Sequence, residues 1–424
     1  MPLLPTDHIF SARAALAHHS VVKLFGTRVL GVPGTLLGRV QHPDTRARKQ
    51  RVAEWHYWWQ AHFIDALVDA GFRALATAGG ADGARSGLHQ ARACLRQARA
   101  VLRAIQARNY GSYPNSFYDD MAWLVLALER LNRLAVEVEG SGDSFVQDTA
   151  TRLYRELTSA CTDDLGGGAF WSKQRDFKNT PATAPIALAF ARAHRYEQAT
   201  ELLNWLQANL FDAERGLYLD GIRITSTSPT LETKLEPALY TYNQGPVLGA
   251  YLALLDAGET AGLTVDPVDH ICQVVDGTLK HFGRTFAPDT EAGAGQDGIP
   301  SPAENLQVLA TQGGGDGGLF TGILVRYLAE VAAHPAAPEE TRQKARTAVL
   351  DTAALFWAGR REYDPDLPMN ELGIDPNEIR GQAVALFSPN VEQHIAELVK
   401  PGQPVELSTQ LQAWMALEAA ARLS

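Results

Sequence analysis

Two aspartates stand side by side in Tyr113-Pro-Asn-Ser-Phe-Tyr-Asp119-Asp120-Met-Ala-Trp123, where a long apolar helix is predicted to begin. A structural role accounts for one of them: Ser116 as N-cap with Asp119 three residues later forms a capping box, and acids in a first turn complement the helix dipole. The second acid needs another reason. Successive helix residues point about 100° apart on Cα atoms about 3.8 Å apart, so carboxyl separations of about 5 Å are within reach. That is the spacing of retaining glycosidases; the wider gap of inverting ones is harder for neighbours to span. Two carboxylates this close cannot both ionise freely. One must hold a proton, available to a leaving oxygen, while the other stays charged and attacks.

Four Gly- and aromatic-rich loops, 109–118, 165–180, 239–245 and 311–320, surround this chemistry in the expected layout. They carry Tyr110, Tyr113, Tyr118, Phe170, Trp171, Tyr240, Tyr242 and Phe320, interleaved with Asn115, Lys178, Asn179, Asn243, Gln244 and Asp316. Flat apolar faces stack on sugar rings, while amides and carboxylates hydrogen-bond hydroxyls, so the mixture suits a carbohydrate. Each aromatic taken alone reads equally well as a staple or core plug.

The elements that must position these residues are helical. Periodicity predicts helices at 51–78, 87–108, 116–138, 145–162, 181–195, 197–209, 245–257, 267–283, 317–333, 340–360, 380–398 and 407–422. The best strand signal is Gly216–Ile224, an expected hairpin turning at Asp220-Gly221. Without strands recurring between helices a βαβ architecture has nothing to build on, and the fold class is all-α. Met121–Leu128 and Gly249–Leu255 are apolar nearly all round and must be covered on every side. An inner ring of helices wrapped by an outer ring supplies that cover, giving an (α/α)6 toroid of about six hairpins with a loop-lined cleft. Residues 1–48, punctuated by Pro33-Gly34 and Pro43-Asp44, are expected as an arm packing on this barrel, and 49–424 as the catalytic domain.

Other chemistries fit less well. With 48 acidic against 38 basic side chains, a formal charge of −10 argues against nucleic acid as a partner. Cys94, Cys161 and Cys272 are too few and too scattered for a disulfide framework or a thiolate zinc site. Gly166–Gly168 and Gly313–Gly318 lack the lysine of a phosphate loop and read as tight turns. No HExxH pattern or comparable ligand cluster points to a metal, and His18-His19, His56 and His62 read as satisfied or solvated. The N-terminus has no leader pattern and no apolar run spans a membrane, so a cytoplasmic location is expected, with secretion open if the sequence lacks its signal.

Tyr118-Asp-Asp-Met-Ala-Trp123, Gly167-Gly-Ala-Phe-Trp171 followed by Lys178-Asn179, Tyr240-Thr-Tyr-Asn-Gln-Gly245 and Asp316-Gly-Gly-Leu-Phe-Thr-Gly-Ile-Leu-Val-Arg-Tyr-Leu328 occur in the order seen in glycoside hydrolase family 76, the α-1,6-mannanases, which the chain resembles from Trp55 to Gln410. The resemblance implies an (α/α)6 barrel that cleaves α-1,6-linked mannan backbones internally with retention. It also implies Asp119 as nucleophile, Asp120 as acid/base and no cofactor. Candidate sugar contacts are Asn115, Tyr118, Trp171, Lys178, Asn179, Tyr242, Asn243, Gln244, Asp316 and Phe320. Where relatives read Lys-Asn followed by Asn-Gly-Pro, this chain has Lys178-Asn179-Thr-Pro, and the usual Phe-Lys-Gly becomes Phe320-Thr321-Gly322. Such departures bear on subsite preference rather than on hydrolysis.

Two other classes compete. A sugar epimerase on the same toroid would need paired histidines at the funnel floor, and a silent mannan-binding relative would need no acid pair. Fungal mannan and actinobacterial mannan-type glycolipid are both open as substrates.

Overall fold

The computed structural model describes residues 9–77, 80–227, 230–286, 306–363 and 382–424. In chain order its helices are α1 (Ile9–Phe25), α2 (Arg48–Ala53), α3 (Tyr57–Ala76), α4 (Gly80–Arg108), α5 (Tyr118–Glu139), α6 (Ser144–Ala160), α7 (Thr180–Arg192), α8 (Tyr196–Asn209), α9 (Thr241–Ala257), α10 (Pro267–Phe282), α11 (Gly317–Ala333), α12 (Glu339–Ala358), α13 (Ile395–Leu398) and α14 (Leu407–Leu423). Helices α3, α5, α7, α9, α11 and α14 each pack on the next, and α14 closes on α3. Around this ring lie α4, α6, α8, α10, α12 and α1. The architecture is the expected all-α double ring, an (α/α)6 barrel.

Sequence pattern explains which helix goes where. Every residue of α9 from Asn243 to Leu252 is buried, as an inner helix requires. By contrast α6 buries only Val146, Thr149, Leu153, Leu157 and Ala160, a single stripe at helical spacing. Close approach within the inner ring rests on small residues. A Cβ at Gly322 would meet Gln412 Cα at 2.7 Å, and one at Gly318 would meet Ser408 Oγ at 2.7 Å, so α14 can lie against α11 only where these side chains are missing.

Two readings of the sequence change. The predicted helix at 380–398 is not formed over its described part: Val384–Leu386 is a strand paired with Arg361–Tyr363, and only Ile395–Leu398 is helical. The five-residue apolar run Ala383–Phe387, with Pro389 two residues beyond it, is too short to separate strand from helix by periodicity. The sixth outer helix comes instead from the N-terminal segment. Within α1, Ala14, Ala17, Val21, Leu24 and Phe25 are buried against the barrel, and Ser20 Oγ accepts the Ala385 amide at 2.8 Å. Helix α1 thus completes the outer ring.

The expected hairpin at Asp220-Gly221 also takes another form. Leu217–Tyr218 pairs with Phe211–Asp212, and the chain then switches partner into a three-stranded antiparallel sheet of β1 (Phe177–Asn179), β2 (Gly221–Ser226) and β3 (Glu232–Glu236), with β2 central. Gly221 sits opposite Asn179, where an added Cβ would lie 2.6 Å from both Asn179 Cβ and Lys178 O. This sheet brings Asn179, Asp220 and Arg223 to one wall of the cleft. No helix among the described residues is long and apolar enough to cross a membrane.

Candidate active site

A cleft of about 760 Å³ opens at the N-terminal ends of the inner helices. Asp119 and Asp120 enter it from the first turn of α5. The residue before that helix is Phe117, and no side chain caps it, so the expected Ser116 capping box is not formed. The strand-like segment 170–173 holds the turn instead: Tyr118 N donates to Trp171 O at 2.8 Å and Lys173 N to Ser116 O at 2.9 Å. That pairing carries the Trp171 indole over the pair, where Nε1 donates to Asp119 Oδ2 at 2.9 Å. Asn115 accepts the Phe117 amide and donates through Nδ2 to Asp120 Oδ2 at 2.5 Å.

Those contacts divide the two acids. Burial pushes the Asp119 carboxyl up to about 7, against a downward pull from the Trp171 N–H. Burial and then the neighbouring Asp119 charge raise Asp120 well above the carboxylate range, with Asn115 pulling the other way. Asp316, at the start of α11, raises both by its charge. Its Oδ1 accepts the indole N–H of Trp58 at 3.1 Å and of Trp59 at 3.0 Å, so its second oxygen is open to a substrate hydroxyl. The order that follows is Asp119 as the acid that ionises first and Asp120 as the one that keeps its proton.

An aromatic floor completes the cleft. Tyr242 and Phe320 stack at 4.0 Å and 15°, with Trp58 tilted above both at 6.4 and 6.2 Å. Of the candidate contacts, Asn115, Trp171, Asn179, Tyr242, Asp316 and Phe320 line the cleft with the acid pair.

The other four stand behind its walls. Tyr118 is buried, with its hydroxyl 3.5 Å from Ser159 Oγ. Lys178 is fully buried, and its ammonium is filled by the carbonyls of Thr162, Asp164, Gly167 and Gly168 and the Thr162 hydroxyl, at 2.6–3.3 Å. No donor is left for a sugar. Gln244 is spent on the Tyr218 backbone and Tyr240 O. Asn243 is buried beside Asp220 and holds that carboxyl down, while burial raises it to about 6. Lys178 and Gln244 are turned from the cleft because their polar atoms satisfy buried backbone groups, which the helical pattern does not reveal.

Several cleft residues were not anticipated. Trp55 lies just before α3 and Tyr57 and Trp58 in its first turn, His56 stacks on Trp59 at 3.9 Å, and Trp123 follows one turn after the acid pair. Asp220 had been read only as a turn residue, and Arg223 only as part of a strand. The signal available was the axial face of α3, on which Trp58, His62, Asp65 and Asp69 recur at spacings of three and four. Among the described residues no cluster of His, Cys, Asp or Glu is arranged to hold a metal ion.

A toroid of six inner and six outer helices with a carboxylate pair in an aromatic cleft defines a carbohydrate-active enzyme. The chain matches Glycosyl hydrolase family 76 over residues 12–369 and belongs to that family, so it is a glycoside hydrolase. It is similar to the GH76A α-1,6-mannanase from Salegentibacter sp. HEL1_6, with 25% identity over 98% of this chain and 100% of that one and a TM-score of 0.69. The Lin0763 protein from Listeria innocua shares the fold at 23% identity, 98% and 97% coverage and a TM-score of 0.66. Dfg5 from Chaetomium thermophilum, solved with glucosamine, shares it at 16% identity, 99% and 91% coverage and a TM-score of 0.56. None of the curated proteins matches the chain.

Proposed function

We propose that this protein is a retaining, endo-acting hydrolase of α-1,6-mannosidic linkages in a mannan backbone, with Asp119 as nucleophile and Asp120 as acid/base. The observation that carries the reading is the environment of the pair: two adjacent carboxyls in one cleft, one held by an indole N–H and the other left as the stronger proton holder. Asp120 gives its proton to the glycosidic oxygen as Asp119 attacks the anomeric carbon, forming a glycosyl ester. Asp120 then takes a proton from water, which displaces Asp119 and restores the original anomeric configuration.

Substrate class is supported from two sides. The cleft carries Asp119, Asp120, Asp220 and Asp316, while its Arg223 pairs with Asp176 at 3.2 Å, so an uncharged glycan suits it better than a phosphorylated or acidic one. The Salegentibacter enzyme has been solved with α-1,6-mannotriose after two adjacent aspartates were changed to asparagine, which makes that oligosaccharide the natural first probe. An epimerase fits less well, since His56 is the one histidine among the described residues lining the cleft.

Linear α-1,6-mannooligosaccharides, followed by product size and by the anomeric proton signals in NMR, test the proposal. Initial release of α-configured internal products is expected. Initial β-anomers would make the enzyme inverting, single-residue release would make it exo-acting, and binding without cleavage would leave a silent relative. Asp119→Asn should abolish turnover while substrate still binds. Asp120→Asn should lose most activity on polysaccharide but keep more on substrates whose leaving group needs no protonation; equal loss on both would reassign its role.

A further inference from the structure

Asn115 lines the cleft, but both its polar atoms are engaged within the protein. Its Oδ1 accepts the Phe117 amide at 3.0 Å, and its Nδ2 donates to Asp120 Oδ2 at 2.5 Å. The first of these bonds fixes the second. A backbone N–H can only donate, so it holds the carbonyl end of the side-chain amide and leaves the NH2 end for Asp120; turning the amide over would set donor against donor at Phe117.

The segment that carries Asn115 is itself clamped. Tyr57 Oη from α3 donates to Tyr113 O at 2.8 Å, and Nδ2 of Asn109, the residue after α4, reaches the carbonyls of Ser112 and Pro114 at 3.0 Å each. Pro114 then enters Asn115 with a ring-fixed φ. Bonds from two neighbouring elements thus place the amide before any substrate arrives.

The two oxygens of Asp120 are therefore unlike. Oδ2 faces the N–H of Asn115. Oδ1 has no hydrogen-bond partner among the described residues, and it is not sealed in, because Asp120 is half-buried and lines the cleft. A protonated carboxyl has one carbonyl oxygen that accepts and one hydroxyl oxygen that donates. With an N–H on Oδ2, the carbonyl falls there and the acidic hydrogen falls on Oδ1.

We propose that Asn115 is a positioning residue for the acid/base: its locked amide puts the Asp120 proton on Oδ1, the oxygen open to the cleft, and steadies the carboxylate left behind. The inference rests on the role given to Asp120 above. As the glycosidic bond breaks, the proton passes from Oδ1 to the departing oxygen, and the charge it leaves is shared with Oδ2, where the N–H bond becomes charge-assisted and strengthens. Help that grows as charge develops lowers the barrier. In the second half of the reaction the same bond keeps Oδ1 as the oxygen that takes a proton from water.

Asn115→Asp separates this role from the shape of the loop. Its carboxylate can still accept the Phe117 amide, but it brings no hydrogen to Oδ2 and competes for the Asp120 proton. The measurement is kcat/KM on α-1,6-mannotetraose and on a dinitrophenyl α-1,6-mannobioside, whose leaving group needs no proton. A loss of about 100-fold on the tetraose against less than about threefold on the activated substrate is expected. Equal losses on both, as a sugar contact or a collapsed loop would give, overturn the proposal, and so does no loss on either. An infrared reading needs no turnover. The carbonyl stretch of protonated Asp120, identified as the band that Asp120→Asn removes, should move to higher frequency in Asn115→Ala, which takes the donor away from the carbonyl oxygen; an unmoved band also overturns the proposal. A moved band in a protein whose wild type cleaves neither glycan would end the mannanase reading and leave the placement of the proton standing.

Discussion

Asp119 and Asp120 are chemically identical, and only what surrounds each tells them apart. The indole N–H on Asp119 is the contact that favours its ionised form, against the desolvation that raises it to about 7. Trp171→Phe keeps the ring and removes that donor. The acidic limb of kcat/KM against pH, which reports Asp119 losing its proton in the free enzyme, should then move to higher pH by up to about one unit, with a smaller change in melting temperature. An unmoved limb would mean that Trp171 serves only as a stacking surface.

At the scale of elements, the cleft depends on loops fastened from behind. Lys178 ties Thr162, Asp164, Gly167 and Gly168 together, and this loop in turn supports the segment that carries Trp171. Lys178→Met leaves those carbonyls unsatisfied and should lower stability by about 3 kcal/mol, measured by denaturant melts. A contact with substrate would instead raise KM at unchanged stability. The outer helix α1 allows a parallel test. Phe25 is fully buried in the barrel core, so Phe25→Ala should cost about 3–5 kcal/mol, whereas a loosely attached arm would lose almost nothing.

Across the whole molecule, the six inner helices run parallel, and their dipoles give the barrel two unlike mouths. Acids gather at the N-terminal mouth, with Asp119, Asp120 and Asp316 in or beside first turns, whereas the C-terminal mouth mixes arginines such as Arg73 and Arg192 with acids such as Glu418 and Glu330. Between them, Asp65 and Asp69 pair with Arg130 and Arg326 along the axis. The catalytic mouth is held at a cost in stability. The folded chain keeps a proton on Asp119 up to about pH 7, whereas the unfolded chain releases it near its usual 3.8, so this group's contribution to stability falls as pH rises through that window. Asp119→Asn should therefore stabilise the protein at pH 8, by on the order of 2 kcal/mol after screening across the open cleft, and change it little at pH 4. Melting temperatures at the two pH values check the sign.

The all-α class and the double ring of helices were legible in the sequence, because burial on all sides and the 3.6-residue period leave a mark in every inner helix; the loops that carry Asn115, Trp171, Tyr242, Asp316 and Phe320 to the cleft beside the acid pair were legible from their composition. Family resemblance added the order of the motifs. Local pattern could not show that α1 would close the outer ring in place of 380–398, since that choice is made by what covers α14. Nor could it show that Lys178 and Gln244 would turn away from the cleft, or that Trp58, His56 and Asp220 would turn toward it. Side-chain direction at Lys178 and Gln244 is decided by which buried backbone groups lack partners, and those groups belong to neighbouring loops that carry no periodic pattern. The same holds for the division between Asp119 and Asp120: sequence placed two like acids together, and Trp171 and Asn115, brought in by tertiary contacts, made them different.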